Sequence, residues 1–503
     1  MNKLSKILLV IIMGISIALG ILMWRYTVDD SFISYRYSKN LSDGAGIVWN
    51  KGEKPVEGYT NFLWVIILAV FIKLGIDPVA ASKVLGLLML AGTGVLGYFM
   101  GLKLLERKNP FLALVPVLIF SINASFIIHA ISGLETMMFC FILMAITYLS
   151  LEVKENATKS AMAMLYSSFF ISGLIRPEGV LFSAVILAVL MAIKPEARSA
   201  GSLKLIMLCF ILPGIMYMAW RFSYFGYLLP NTYYIKGDMG NIIIGWEYVR
   251  SFIFKTNYMF MLLLLACAVL VRGSKKYLFI IPTLVFLLFY VTVEPLMGFC
   301  FRYLVPVYPF MIIPVMLLAE KFIWRNNKMD KFRIAVVTAA CLGLLYFPLK
   351  DFKGIMGLVR DYSMGLNKVH IRFGKILNGA VTGNPEKYTL AVGDAGAIPF
   401  YSCFRTIDTI GLNDVTIARK GFDAGYVFDN KPDVMMLYSE DGRTASPVMG
   451  SGYDYAIFSH PGMSNYDLRG VLQFGKDYYL LCYFRKDMPG YETVLGNIAS
   501  EYQ

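Results

Sequence analysis

Charge is scarce in this chain. Asp, Glu, Lys and Arg make up 16% of its 503 residues, while 57% are apolar and the mean hydropathy is +0.60. A soluble enzyme of this length cannot bury so much apolar side chain, so lipid must be part of the solvent. Histidine is rarer still: three occur, far apart, and no Cys/His spacing suits zinc. Internal repeats are missing, which weighs against a transporter built from two related halves. No small-x-small cleavage site follows the apolar stretch from Ile7 to Met23, and Trp24-Arg25-Tyr26 reads as an interfacial anchor. That stretch is therefore expected to stay as a first, uncleaved span. Gly393-Asp-Ala-Gly396 lacks the Lys and Ser/Thr of a phosphate loop and reads as a turn. Of seven cysteines, only Cys403 and Cys482 lie in the hydrophilic tail, where a disulfide is one reading if the tail faces an oxidising compartment.

What the chain does contain is a series of apolar runs, near 5–23, 59–76, 80–104, 110–128, 135–152, 160–175, 179–194, 203–223, 257–272, 278–293, 304–323 and 333–349. The net charge of +13 sits largely in short patches between them, Arg107-Lys108, Arg272 to Lys276 and Arg325 to Arg333. This is the signature of cytoplasmic loops, so nucleic acid is not an expected partner and membrane lipid is. Loop charges place 24–58, 226–256, 294–303 and the tail together on the outer side. A strict alternation of twelve spans would put the tail inside, so one run is expected not to cross. The run 110–128, interrupted by Asn123 and His129, is the chosen one. Irregular helices at membrane depth are tolerated where they line a polar chamber. The expected fold is mainly α, a polytopic helical membrane domain over 1–350 with about 11–13 membrane segments. A soluble domain over 351–503, α+β or mostly β, follows, with strands at Tyr388 to Val392 and Tyr478 to Phe484 and a helix near 363–378.

The first outer loop, 24–58, carries more pattern than a connector needs. Ile33, Tyr37 and Leu41 recur at helical spacing while Arg36, Lys39 and Asn40 take another face, which predicts a helix lying at the membrane surface. Gly44-Ala-Gly46 stops it, and Asn50-Lys-Gly52 turns the chain back. Asp29 and Asp30 stand at the start of that helix. A carboxylate beside lipid can take a proton from a hydroxyl, and a second one can orient it or hold a divalent cation.

Val28-Asp-Asp-Ser-Phe-Ile-Ser-Tyr-Arg-Tyr-Ser-Lys-Asn-Leu41, Gly46-Ile-Val-Trp-Asn50 and Val56-Glu-Gly-Tyr-Thr-Asn-Phe-Leu-Trp64 stand in order near the N-terminus. They are followed by Ser132-Gly-Leu-Glu-Thr136, Arg176-Pro-Glu-Gly179, Leu229-Pro-Asn-Thr-Tyr233, Arg302-Tyr-Leu-Val-Pro306 and Gly393-Asp-Ala-Gly-Ala-Ile-Pro399. This set resembles the actinobacterial cell-wall terminal β-(1→2) arabinofuranosyltransferases and their relatives, including pilin-modifying arabinosyltransferases. The resemblance implies a GT-C glycosyltransferase of the bacterial cytoplasmic membrane, taking a sugar from a polyprenyl-phosphate donor to a glycan or protein acceptor on the outer side. It also implies an acidic base in the first outer loop, which maps onto Asp29 and Asp30, with Asp29 preferred. A leaving phosphate needs cations, for which Arg302, Arg176 and Lys236 are the candidates. Arg36, Glu57, Tyr59, Asn61, Glu135 and Asn231 are the expected substrate contacts. A lone His129 in an apolar segment reads as bonded to backbone. Two alternatives stand beside this reading: another polyprenyl-phosphate sugar with a lipid A or polysaccharide acceptor, and a transporter of lipid-linked sugars.

Overall fold

The computed structural model describes residues 3–237, 242–293, 295, 297–325, 328–329, 331–350, 352–381, 383–446 and 453–488. Among the described residues five helices are long and apolar enough to cross a bilayer: Lys3–Leu22, Pro78–Leu104, Thr136–Glu155, Ala200–Phe225 and Phe299–Ile323. Shorter apolar helices, Phe62–Lys73, Lys159–Ile175, Glu178–Ile193 and Tyr277–Val291, pack among them. The chain is a multi-pass membrane protein. The run 110–128 breaks into Leu114–Ser121 and Ala124–Ile131, bent by 65°. Asn123 causes the break by capping the second helix, its side-chain oxygen accepting from Ser125 N at 2.9 Å.

The tail forms an α+β unit. Strands β1 (Thr389–Val392), β2 (Arg405–Asp408), β3 (Val434–Ser439), β4 (Tyr466–Gly475) and β5 (Tyr478–Arg485) make one sheet in the order β2-β1-β3-β5-β4. β1 runs parallel to β2 and β3, and β5 is antiparallel to β3 and β4. Alternation along the strands divides two cores. Leu390, Val392, Val434, Met436, Leu480 and Cys482 pack with Phe373 and Leu377 of helix Arg372–Ala380, whereas Ala391, Met435, Leu437 and Leu481 pack with Ile417, Val427 and Ile457. Both faces are covered, so the central strands read as continuous apolar runs. Cys403 and Cys482 are free. Cys403 precedes edge strand β2 and Cys482 lies three strands away on β5, about 14 Å at usual strand spacing and beyond disulfide reach.

The predicted helix of the first loop is present, as Ser31–Ser42, and Gly44 at φ 85° follows its end. Its location differs from expectation. It is covered by protein: Phe32, Tyr35, Arg36, Tyr37 and Ser38 are all buried, because the C-terminal sheet domain sits on the face predicted to meet water. The fit is close at two glycines. A Cβ on Gly396 would fall 2.2 Å from Asp29 Oδ2, and one on Gly58 would fall 1.9 Å from Asn413 Oδ1.

Arg36 fastens this junction, which corrects its assignment as a substrate contact. Its Nε donates to Trp49 O at 2.9 Å, Nη1 to Pro399 O at 2.7 Å and Thr406 Oγ1 at 3.4 Å, and Nη2 to Asn50 Oδ1 at 2.9 Å and Phe404 O at 2.8 Å. All five guanidinium N–H groups are used, and the plane lies over the Trp49 ring at 4.5 Å. No donor is left for a sugar.

Candidate active site

Asp29 and Asp30 are adjacent in sequence but turn to different partners. The Asp29 carboxylate is buried in the junction, where Oδ1 accepts from Ala397 N at 2.8 Å and from His370 Nδ1 at 3.1 Å. Its own amide donates to Tyr362 Oη at 3.0 Å. His370 continues to Asp394, with Nε2 3.3 Å from Oδ2, and Tyr478 donates its hydroxyl to the same carboxylate. Burial alone would lower the His370 pKa, but the flanking Asp29 and Asp394 prevail and raise it to about 10, so the imidazole is a cation between two carboxylates. In return, although burial opposes it, His370 holds Asp394 below the ordinary carboxylate range.

Asp30 begins the helix Ser31–Ser42, where the helix dipole favours a negative charge. Its side chain makes no capping bond and remains 32% exposed, with Oδ2 3.9 Å from Arg302 Nη1. Behind it lies a buried cluster organised by Glu135. Oε1 of Glu135 meets Arg302 Nη2 at 3.2 Å and Arg176 Nε at 3.5 Å, and Oε2 accepts from Asn61 Nδ2 at 2.7 Å. Asn61 also donates to Ser34 Oγ at 3.0 Å. Arg176 reaches Glu178 at 3.0 Å, and Glu178 accepts from Tyr290 Oη at 2.7 Å. Both guanidinium groups stand over the Tyr303 ring, at 4.9 Å for Arg176 and 5.4 Å for Arg302.

Two features mark this cluster as a site. Arg176 Nη1 and Arg302 Nε are buried and have no hydrogen-bond partner. Buried cationic donors are ordinarily satisfied, so two unsatisfied ones sharing a carboxylate describe a place for an incoming anion. The backbone leading into Arg302 is also strained, with positive φ at Met297, Cys300 and Phe301. Each costs about 1 kcal/mol or more in an L-residue, and such strain gathers at functional sites. His129 lies nearby, its Nε2 3.3 Å from Cys300 O, which is the backbone bond expected of it.

The sequence candidates thus separate. Asp30, Asn61, Glu135, Arg176 and Arg302 come together. Glu57 joins a second cluster with Arg221, whose Nε lies 2.8 Å and 2.7 Å from the two carboxylate oxygens, and Asn231 N donates to Glu57 O at 2.9 Å. Burial pushes the Glu57 carboxyl up to about 6 against the pull of Arg221. Asn231 Nδ2 and Tyr59 Oη are buried without partners, Tyr59 lying in an aromatic group with Tyr37 and Phe225. The Lys236 side chain lies outside the described residues. Arg221 escaped the sequence reading because it lies inside an apolar run, and His370 because its partner Asp29 is more than 340 residues away in the chain, whereas Asp394 lay within the Gly393 to Pro399 motif. Glu178 and Tyr303 lay within motifs already picked out, which was the available signal. Among the described residues no group of three or more His, Cys, Asp or Glu is placed to hold a metal ion.

Residues 362–491 match a family described as a domain of unknown function, DUF8728. No curated protein matches the chain. Among solved structures, ArnT from Cupriavidus metallidurans bound to undecaprenyl phosphate is similar with a TM-score of 0.59 at 12% identity, covering 94% of this chain and 97% of that one. The same ArnT in the apo state gives 0.56 at 11% identity, covering 95% and 98%. At such identity the likeness is one of fold: a GT-C helical membrane domain followed by a C-terminal sheet domain.

Proposed function

We propose that this protein is an inverting glycosyltransferase that moves a sugar from a polyprenyl-phosphate donor to an acceptor hydroxyl on the outer side of the bacterial cytoplasmic membrane. The observation that carries the reading is the Glu135 cluster, two arginines with unpartnered buried N–H groups set beside the accessible carboxylate of Asp30. A fold shared with a protein captured on undecaprenyl phosphate supports the donor class.

In this reading Asp30, rather than Asp29, is the base. It accepts the acceptor's hydroxyl proton while the oxygen attacks C1, and the phosphate departs from the opposite face, so configuration inverts. Arg302 and Arg176 receive the phosphate oxygens, whose charge grows as the C1–O bond breaks. Glu135 and Asn61 fix the two guanidinium groups before substrate arrives. Asn231 and Tyr59, with free polar atoms, are the remaining sugar or acceptor contacts, and the soluble domain carries the acceptor side. Arabinofuranose is the proposed sugar, on the motif resemblance, and a glycan or protein the proposed acceptor.

The test is transfer by the purified chain supplied separately with polyprenyl-phosphate arabinofuranose, aminoarabinose and hexose. Transfer from the first and not the others is the expected result. Transfer from another donor alone replaces the sugar and keeps the mechanism; no transfer from any of them removes the enzyme reading.

A further inference from the structure

The end of the membrane domain opposite the candidate site is hollow. Glu135 precedes the 20-residue helix Thr136–Glu155, and Lys154 and Glu155 end it. At 1.5 Å per residue those ends are about 30 Å apart, one hydrocarbon thickness. Helix Phe299–Ile323 makes the same crossing from Arg302 to Lys321. Where these helices end, a cavity of about 930 Å³ opens, lined by eight basic and three acidic side chains.

Two of the three acidic groups, Glu320 and Glu155, are consumed in building it. Glu320 accepts from Glu106 N at 3.0 Å and Arg107 N at 2.9 Å, pinning the loop after Pro78–Leu104. Glu155 pairs with Lys103 at 3.0 Å and Lys275 at 2.6 Å. Several lysines are scaffold too, since Lys275 donates to Lys103 O at 2.9 Å and Lys321 to Leu270 O at 2.6 Å, satisfying carbonyls at helix ends. Among the described residues the side chains of Lys108, Lys154 and Arg272 have no ion-pair or hydrogen-bond partner, and all three line the cavity. A flat band of basic loops is enough to orient a membrane protein. A walled hollow with an excess of cations does more, because it surrounds an anion instead of facing a charged surface.

We infer that this cavity, at the level of the cytoplasmic headgroups, binds the phosphate-bearing headgroup of an acidic phospholipid, with Lys108, Lys154 and Arg272 as its anion contacts. The position at a helix-end boundary favours a lipid over a free ion, because acyl chains can stay in the bilayer while the headgroup enters. The site is independent of the transfer reaction.

The full chain purified in neutral detergent is titrated with phosphatidylglycerol or phosphatidylcholine, and retained lipid is read by native mass spectrometry. Phosphatidylglycerol should be held at least tenfold more tightly. The triple variant Lys108→Gln/Lys154→Gln/Arg272→Gln, with unaltered thermal unfolding, should bring the two lipids within about twofold, on the expectation that each basic group near a headgroup adds attraction. Excess inorganic phosphate should not displace the lipid. Equal retention of both lipids in the parent chain overturns the inference, as does a preference that survives the triple substitution. Displacement by inorganic phosphate would make it a soluble-anion site, and loss of a co-purifying acidic protein in the triple variant, without any lipid preference, would make it a protein-docking site; either result also overturns it.

Discussion

Arg36 and Arg302 are buried alike, 8% and 7% exposed, yet they stand in regions of opposite character. At the junction, every N–H of Arg36 has an oxygen and its plane has an indole beneath it. In the Glu135 cluster, Arg302 and Arg176 are held by one shared carboxylate and each keeps an unpartnered donor. The two aspartates divide the same way, Asp29 tied to the C-terminal sheet domain and Asp30 turned to the cluster. Burial of a charge therefore says little about its role until its hydrogen-bonding capacity is counted. A saturated guanidinium holds structure together, and an unsaturated one keeps a donor that a ligand could use.

The largest effect that can break this contrast is at the aspartates. Asp30→Asn should reduce transfer by about a hundredfold to ten-thousandfold without loss of folded protein, because an amide cannot accept the proton. Asp29→Asn should lower the unfolding temperature and reduce turnover less. The reverse order, measured as kcat per folded molecule, would return the base to Asp29.

Arg302→Ala comes next, with an expected loss of about 2–4 kcal/mol in transition-state stabilisation. Arg302→Lys keeps the charge and loses the fork, so its kcat/KM should fall between those of the parent and the alanine variant. Lysine performing as well as arginine would reduce Arg302 to a helix anchor at the headgroups. At the junction, Arg36→Ala should destabilise by about 2–3 kcal/mol, since it strands buried carbonyls, while activity per folded molecule changes little. A denaturation series beside a transfer assay separates the two, and lost activity in well-folded Arg36→Ala would erase the contrast.

The most gradual effect is one of pH. His370 has its pKa raised from 6.5 to about 10 in the folded chain. Its contribution to stability is complete below pH 6.5, declines from there upward, and is gone above about 10, with a slope of at most about 1.4 kcal/mol per pH unit. Thermal unfolding from pH 6 to 10 should show that decline in the parent and a flatter profile in His370→Gln. Parallel profiles would show that the imidazole does not carry the charge between Asp29 and Asp394.

How far the sequence could lead depends on the kind of information involved. Span positions were legible because hydropathy is a local property, and the break at Asn123 because a helix cap is local too. Helix Ser31–Ser42 was legible from its period, but not its cover: a polar face beneath a protein domain and one beneath lipid headgroups have the same composition. Arg176, Glu135 and Arg302 were found through motifs, although nothing local says that one carboxylate gathers both arginines. The link of Asp29 to His370 and the pairing of Glu57 with Arg221 depend on approaches across 341 and 164 residues, which no periodicity records.

The contacts at Gly58 and Gly396 bear on how this chain can be divided or recombined. With no room for even a methyl group where Asp29 meets Gly396, and none where Asn413 meets Gly58, the C-terminal sheet domain is not an interchangeable module. A chimera that takes residues 351–503 from a relative would have to take 24–58 from the same source, so for inheritance and for engineering the first outer loop belongs with the far end of the polypeptide.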